Sequence, residues 1–123
     1  MKTIALPAML LMLCANQALA QACIIESTDD QVPIRMCQQN ISIPQSLFQG
    51  AFCQPQIPDR TFAVTMTDSC PETAYGVCHG AKVEGVAYEQ SIHYYSDPAD
   101  AAVLEAYCTQ ISNGTWKAPD PES

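Results

Sequence analysis

The chain has few positive charges and few residues of the kinds that build phosphate-binding surfaces. Lys and Arg together number 5 against 13 Asp and Glu, which gives a formal net charge of −8 at pH 7. Such a surface repels phosphate backbones and anionic membranes, so the composition argues against a nucleic-acid partner. Two interpretations of the acidity stay open, namely solubility of an exported protein and a surface that meets a basic protein partner.

Several motifs that commonly mark small enzymes and metal proteins are absent from the 123 residues. The chain contains no Cys-x-x-Cys pair, no Gly-rich phosphate loop and no serine nucleophile elbow. These absences argue against a zinc centre, a thioredoxin-like redox motif and a nucleotide-phosphate site. We therefore expect no metal and no other cofactor.

The apolar run at the amino end is too short for a membrane span. A positive start, an apolar run from Ile4 to Cys14 and the small-x-small triplet Ala18 to Ala20 predict a signal peptide over residues 1–20. A span would need about twenty apolar residues. The mature chain, residues 21–123, is then expected in the periplasm or outside the cell. A lipid anchor at Cys23 is not expected, because Ala20 stands where a bacterial lipoprotein signal usually has Leu.

The cysteines predict a disulfide framework. One of the seven leaves with the signal peptide, and an even number in an exported chain is typical of paired cysteines. About 103 residues suit one small domain. The six that remain are Cys23, Cys37, Cys53, Cys70, Cys78 and Cys108.

Matched cysteine spacings indicate an internal duplication. Cys23 and Cys53 are 30 residues apart, as are Cys78 and Cys108, and Ala-aromatic-Cys ends both segments. The pattern predicts two pseudo-repeats, residues 23–66 and 78–117. Chance similarity is the alternative, because few residues are identical between the two segments.

Each pseudo-repeat carries the signals of one helix. Asp97 is expected to cap a helix that has Pro98 in its first turn. In the first segment, the spacing of Ser42 and Gln45 fits a capping box, and we expect a short helix over about residues 43–53.

Strand patterns flank both predicted helices. The segment 85–95 alternates apolar and polar side chains, 77–81 is a shorter candidate strand, and Gly85 suits the turn between them. The first segment offers residues 24–25, 32–38 and 61–67, and 114–118 is the counterpart of the last of these. The expected fold is therefore α+β, a small disulfide-stapled domain whose two pseudo-repeats each run strand, strand, helix, strand.

The duplication favours one disulfide pairing among the fifteen that six cysteines allow. Bonds Cys23–Cys53 and Cys78–Cys108 would each join a helix end to the first strand of the same repeat. Cys37 and Cys70 then remain for each other. Closing a loop of this size is expected to contribute about 3–4 kcal/mol on the chain-entropy model.

The second half of the chain resembles a family of small exported bacterial cysteine-rich proteins whose activity is not assigned. The resemblance covers residues 70–116, and it implies an exported disulfide-bonded module without transferring any functional residue. It is carried by Cys70-Pro71, Gly76-Val77-Cys78, Tyr94-Tyr95, Cys108 and Gly114-Thr115-Trp116.

A few side chains could carry chemistry. His93 is a candidate base if a carboxylate lies nearby, and Cys78-His79 is a candidate thiol pair unless Cys78 is oxidised. Asp29-Asp30 and Asp97 with Asp100 are acidic pairs without the rest of a catalytic site, and we expect the first to belong to a turn and the second to a helix start. Three aromatic residues form either core or a binding patch, namely Tyr94, Tyr95 and Trp116.

Two classes of function follow, and the sequence leaves the choice between enzyme and non-enzyme open. The first is an exported, non-catalytic binding or structural module that contacts a basic protein partner through an acidic surface. The alternative is a small exported hydrolase that uses His93 with a nearby carboxylate. A concave pocket that holds His93 beside an acid would favour the second class.

Overall fold

The structure, a computed structural model, describes residues 20–29, 32–82 and 85–119. The predicted signal peptide lies outside the described residues except for Ala20, and so does Asp30. The strands are β1 (Ala22–Ser27), β2 (Arg35–Asn40), β3 (Phe62–Thr67), β4 (Gly76–Lys82), β5 (Glu89–Tyr94) and β6 (Thr115–Lys117). Helix α1 (Gln45–Leu47) continues as a π-helical turn (Phe48–Phe52), and a 3-10 turn (Pro98–Asp100) leads into α2 (Ala101–Gln110).

All six strands form one antiparallel sheet in the order β3-β1-β2-β5-β4-β6. The first pseudo-repeat supplies β3-β1-β2 and the second supplies β5-β4-β6, so each repeat is one contiguous half of the sheet. Both halves follow the predicted order of strand, strand, helix, strand. The α+β fold class with two such repeats is confirmed.

The register relates the two halves by a pseudo-two-fold axis. Gln38 lies opposite Cys23 in the first half, and Ile92 lies opposite Cys78 in the second. Gln38 and Ile92 also lie opposite each other where β2 meets β5. The pseudo-two-fold axis therefore passes through this pair, perpendicular to the sheet. Directly opposite residues point to the same face of a sheet, so Cys23 and Cys78 share one face. Both cysteines are bonded to helical segments, and both helices therefore lie on that face.

Three disulfides fix the elements to the sheet, in the pairing that the cysteine spacing favours. Cys23–Cys53 and Cys78–Cys108 join β1 to the helical turn and β4 to α2, with Cα–Cα distances of 6.0 and 5.6 Å. Cys37–Cys70, at 5.8 Å, ties the connector between β3 and β4 to the opposite side of the sheet, here called the open face. A small domain with three disulfides is typical of proteins that fold in an oxidising compartment.

Each half has its own apolar core beneath its helix. In the first half, Phe48 and Ile25 are fully buried, with Ile43 and one disulfide between them. In the second half, buried Ala81 and the disulfide pack against Ile92 and the aromatic rings of β5 and β6. A smaller cluster around Cys37 and Cys70 lies on the open face. In the described part of the chain, no helix has the length and apolar character to cross a membrane.

The predicted capping box of the first helix is wrong. Pro44 is the N-cap residue, and no side chain caps the helix. Ser42 Oγ instead accepts a hydrogen bond from the backbone N–H of Glu89 at 2.9 Å, which ties this loop to β5. Gln45 Nε2 donates to the carbonyl of Ala20 at 2.6 Å. Tertiary partners therefore take the two side chains that local spacing assigns to the cap.

The shared Thr-aromatic pair predicts that Thr115-Trp116 corresponds to Thr61-Phe62, and this alignment of the last strands is wrong by several residues. Trp116 lies opposite Cys78, and the residue opposite Cys23 is Met66, so Trp116 corresponds to Met66 rather than to Phe62. The cause is the shorter connection between helix and last strand in the second repeat. Strand β5 also begins later than the alternation predicts, at Glu89, whereas Gly85 has the expected positive φ of 81°.

Candidate functional site

His93 lies on the open face, in a shallow depression. The depression has a volume of about 350 Å³ and lies between the connector and the edge of the sheet. Glu72 of the connector lines it too, so one carboxylate lies in the same depression as His93. The other lining residues are Ala74, Val77, Lys117, Ala118 and Pro119.

The surroundings of His93 favour the neutral imidazole. Burial is the larger cause that lowers the pKa of His93, and the neighbouring His79 lowers it further. A half-buried neutral imidazole near pH 7 can accept a proton, which is what a general base requires. Among the residues that the structure describes, however, His93 and Glu72 form neither a hydrogen bond nor an ion pair with each other.

A second histidine is bound to a buried hydroxyl. His79 Nδ1 and Ser91 Oγ are 3.0 Å apart, and Ser91 is only 5% exposed. A serine nucleophile would need access to a substrate and a base oriented by a third group. Ser91 has no such access, so this hydrogen bond fits a structural contact between β4 and β5 better than a catalytic pair.

The candidate residues do not provide a free thiol at Cys78. Cys78 is bonded to Cys108, so the thiolate that a Cys78-His79 pair would need is consumed by the disulfide. Within the described ranges, no group of three or more His, Cys, Asp or Glu side chains could hold a metal ion.

The acidic pairs have structural roles where they are described. Asp97 Oδ1 accepts a hydrogen bond from the N–H of Ala99 at 2.9 Å, as expected of an N-cap. Asp29 lies 3.6 Å from the guanidinium of Arg60 and accepts a hydrogen bond from the N–H of Thr61. Asp100 lies in the turn before α2 with its side chain exposed.

The three aromatic candidates do not form one patch. Tyr94 and Trp116 stack at 5.9 Å between ring centroids in the second core, where burial is the main cause that raises the pKa of Tyr94 to about 12. Tyr95 belongs to the open face, and its hydroxyl donates to the carbonyl of Pro71 at 2.6 Å. Arg35 stacks over the Tyr95 ring. All three rings therefore serve packing.

Helix α2 presents an exposed apolar row that the sequence analysis did not identify. Val103, Tyr107 and Ile111 are 72, 57 and 61% exposed and follow one another at intervals of four residues, which places them on one side of the helix. This row and the carboxylates of Asp97 and Asp100 at its amino end form what we call the outer α2 surface. The four-residue spacing of these apolar residues in the sequence indicates one side of a helix and could have predicted the row.

The electrostatics at the amino end of this surface are negative. Burial, then Asp100 and Asp97, raise the pKa of Tyr75, whose phenol lies close to both carboxylates. The segment 97–115 contains three acidic residues and no Lys or Arg. The outer α2 surface thus combines apolar area with carboxylates at its amino end, while Arg35 lines the same depression as Asp100, and Lys82 lines the same depression as Tyr107 and Ile111.

Comparison with known proteins gives no relative: no family model, no curated protein and no solved structure matches the chain. The resemblance of residues 70–116 to small exported cysteine-rich proteins stays a prediction.

Proposed function

We propose that the protein is an exported, non-catalytic binding module of the periplasm or the extracellular medium, and that its outer α2 surface contacts a basic protein partner. The observation that carries the proposal is the exposure of Val103, Tyr107 and Ile111 on a helix that a disulfide fixes to the sheet. Contiguous apolar area with a polar rim is typical of protein interaction sites.

The chemistry of the surface defines the partner. A segment with apolar side chains at helical spacing could cover the row on α2, and Lys or Arg beside them would meet Asp97 and Asp100. A rigid surface keeps the ordering cost of binding low, and the Cys78–Cys108 bond provides that rigidity here.

The proposal can be tested with a defined probe, a synthetic amphipathic peptide of Lys and Leu. We expect its addition to shift the NMR signals of residues 97–112, and we expect added salt to weaken the binding. Tyr107→Ser should weaken it severalfold, whereas Ile57→Ser, an exposed apolar residue far along the chain, is the matched control and should leave it unchanged.

The natural partner can then be sought by affinity capture from the envelope or the medium with the same variants as bait. A protein that Tyr107→Ser fails to retain and Ile57→Ser retains would support the proposal. Shifts spread evenly over the acidic surface, or binding that ignores Tyr107→Ser, would contradict it.

A small exported hydrolase is the second candidate, because Glu72 and His93 line the same depression. In that case His93 would act as the base and Glu72 would orient it or protonate the leaving group. An activated ester is a suitable probe, and both His93→Gln and Glu72→Gln should abolish its hydrolysis. Hydrolysis that survives either substitution would remove this candidate.

A further inference from the structure

The two outer edges of the sheet differ in how well they are protected against pairing. Strand β6 has three residues, includes Lys117 and is followed closely by Pro119. Short length, lysine and proline are the common means by which proteins block an edge strand. Strand β3 is six residues long and contains no charged residue, no proline and no glycine.

Hydrogen bonds at the end of β1 define which groups of β3 face outward. Thr28 N–H donates to the carbonyl of Thr61 at 3.0 Å, which continues the ladder between β1 and β3. Bonded and non-bonded pairs alternate along an antiparallel ladder. The backbone groups that face the outer edge are therefore those of Phe62, Val64 and Met66. Within the described ranges, no residue bonds to them.

We propose that β3 pairs with β3 of a second copy of this chain, antiparallel and centred on Val64. In this register Val64 lies opposite Val64 of the second copy, and Phe62 lies opposite Met66 of the second copy at both ends. All three outward residues of each copy then form hydrogen-bonded pairs. The two-fold axis is perpendicular to the sheet, so the helix faces of both copies remain on the same side.

The side chains match in this register. The three outward residues alternate with Ala63 and Thr65, so Phe62, Val64 and Met66 share the helix face and form one apolar row with the same row of the second copy. Phe62 and Val64 already pack against the first core, and Met66, which is 38% exposed, gains an aromatic neighbour.

In this register the apolar row of β3 meets an identical row, and no charged side chain lies between the two strands, which favours a second copy as the occupant. Arg60, two residues before β3, is not a partner for the second copy, because its largely buried guanidinium is bound to Asp29 and to the carbonyl of Val32 in the same chain. Each copy as a whole is acidic, so the two copies repel at long range. Dimerisation should therefore strengthen as salt increases.

The first test is amide hydrogen exchange of the wild-type mature chain from micromolar to millimolar concentration. The amides of Phe62, Val64 and Met66 should exchange roughly tenfold more slowly at the high end, because they become hydrogen-bonded. Those of Ala63 and Thr65 already bond to β1 and should not change. Sedimentation should show a monomer becoming a dimer over the same range.

A variant pair isolates the edge. Met66→Pro removes one outward N–H and leaves the ladder with β1 intact, so it should give a monomer at all concentrations. Met66→Leu keeps the N–H and the apolar side chain and should still dimerise. Correct folding of both is checked by the three disulfides in a peptide map.

Several outcomes would overturn the proposal. These are a wild-type chain that stays monomeric throughout, a dimer in which the three outward amides exchange as in the monomer, and a dimer that survives Met66→Pro. Protection of the three amides that arises only with envelope extract would also overturn it, since the edge would then take a strand from another protein. The interface does not include the outer α2 surface, so its failure leaves the proposed function untouched.

Discussion

The two halves of the sheet hold their helices in different ways. The helix of the first half has only three α-helical residues before the π-helical turn, and no side chain caps it, yet it carries fully buried Phe48. Helix α2 has ten residues and follows a turn capped by Asp97, yet Cys108 is its one buried side chain. The second repeat therefore has the longer and more regular helix, whereas the first repeat has the helix with the large buried side chain.

This difference separates two sources of helix stability. Local signals suffice to form α2, because its cap, its proline and its alanine-rich sequence all favour a helix. The first helix lacks such signals and forms because Phe48 and Cys53 are held against β1. The helix that needs little tertiary support exposes its apolar side chains more strongly, with Val103 72% exposed against 38% for Leu47 of the first helix.

The largest expected effect comes from the buried side chain of the first helix. Phe48→Ala should lower the free energy of unfolding by about 3–5 kcal/mol, because it leaves a cavity in the core. Tyr107→Ala on α2 should change it by about 0.5 kcal/mol or less. Urea unfolding with intact disulfides measures both. Equal losses would mean that the two helices are anchored alike.

The next largest effect comes from replacing one glycine in each half by alanine. The change in the free energy of unfolding should have opposite signs at the two positions. A Cβ at Gly114 would lie 2.7 Å from Cys78 Sγ and 2.9 Å from the carbonyl oxygen of His79, so Gly114→Ala should cost about 1–3 kcal/mol. Nothing lies within 4 Å of a Cβ at Gly50, so Gly50→Ala should stabilise by about 0.4–1 kcal/mol. Thermal unfolding distinguishes the signs, and a destabilised Gly50→Ala variant would contradict the open space.

The capping difference should be smaller. Asp97→Ala should cost about 1 kcal/mol and increase amide exchange in the first turn of α2. Ser42→Ala should instead increase exchange at the Glu89 amide and leave the first helix unchanged, because Ser42 Oγ accepts from that N–H. Faster exchange in the first helix of Ser42→Ala would restore the capping role that the sequence assigned.

The smallest effect is a pH dependence confined to the second half. Because burial lowers the pKa of His93 in the folded chain, the unfolded chain binds the proton more readily, and stability should fall as pH drops below about 6.5. Gln39 is the equivalent of His93 in the first half. Gln39 lies opposite Ala22, the residue before Cys23, and His93 lies opposite Val77, the residue before Cys78. His93→Gln should remove this dependence, measured by unfolding at several pH values, and a slope that persists would assign it to other groups.

Cysteine spacing carried most of what could be predicted of the fold. In both repeats a cysteine in the first strand is bonded to a cysteine 30 residues later at the end of the helix. The Cα atoms of a disulfide must lie within about 7 Å of each other. Few arrangements of strand and helix meet this condition in both repeats. Asp97 could be assigned as a cap because every signal for that helix is local. Ser42 could not, because its partner, Glu89, is 47 residues away.

The candidate site depended on long-range register and was accordingly harder to predict. His93 was identifiable, whereas Glu72 joins it through the connector that the Cys37–Cys70 bond holds on the open face. The aligned aromatic residues also differ in burial: Phe52 packs against the first core, and Tyr107 is exposed. Equivalent positions in a duplicated sequence therefore need not share an environment.

The arrangement of the disulfides has a consequence for dividing the protein into two pieces. All three bonds close within residues 23–70 or within residues 78–108, so a single cut between Cys70 and Cys78 would break the last covalent connection between the halves. The pieces would then meet mainly through β2 and β5, over the five residue pairs from Met36 and Tyr94 to Asn40 and Gln90. Hydrogen bonds of Glu89 with the loop at Ser42 and of Tyr95 with Arg35 extend this contact at its two ends. The chain is therefore a natural candidate for a split reporter, whose oxidised fragments regain the full sheet when they are brought together.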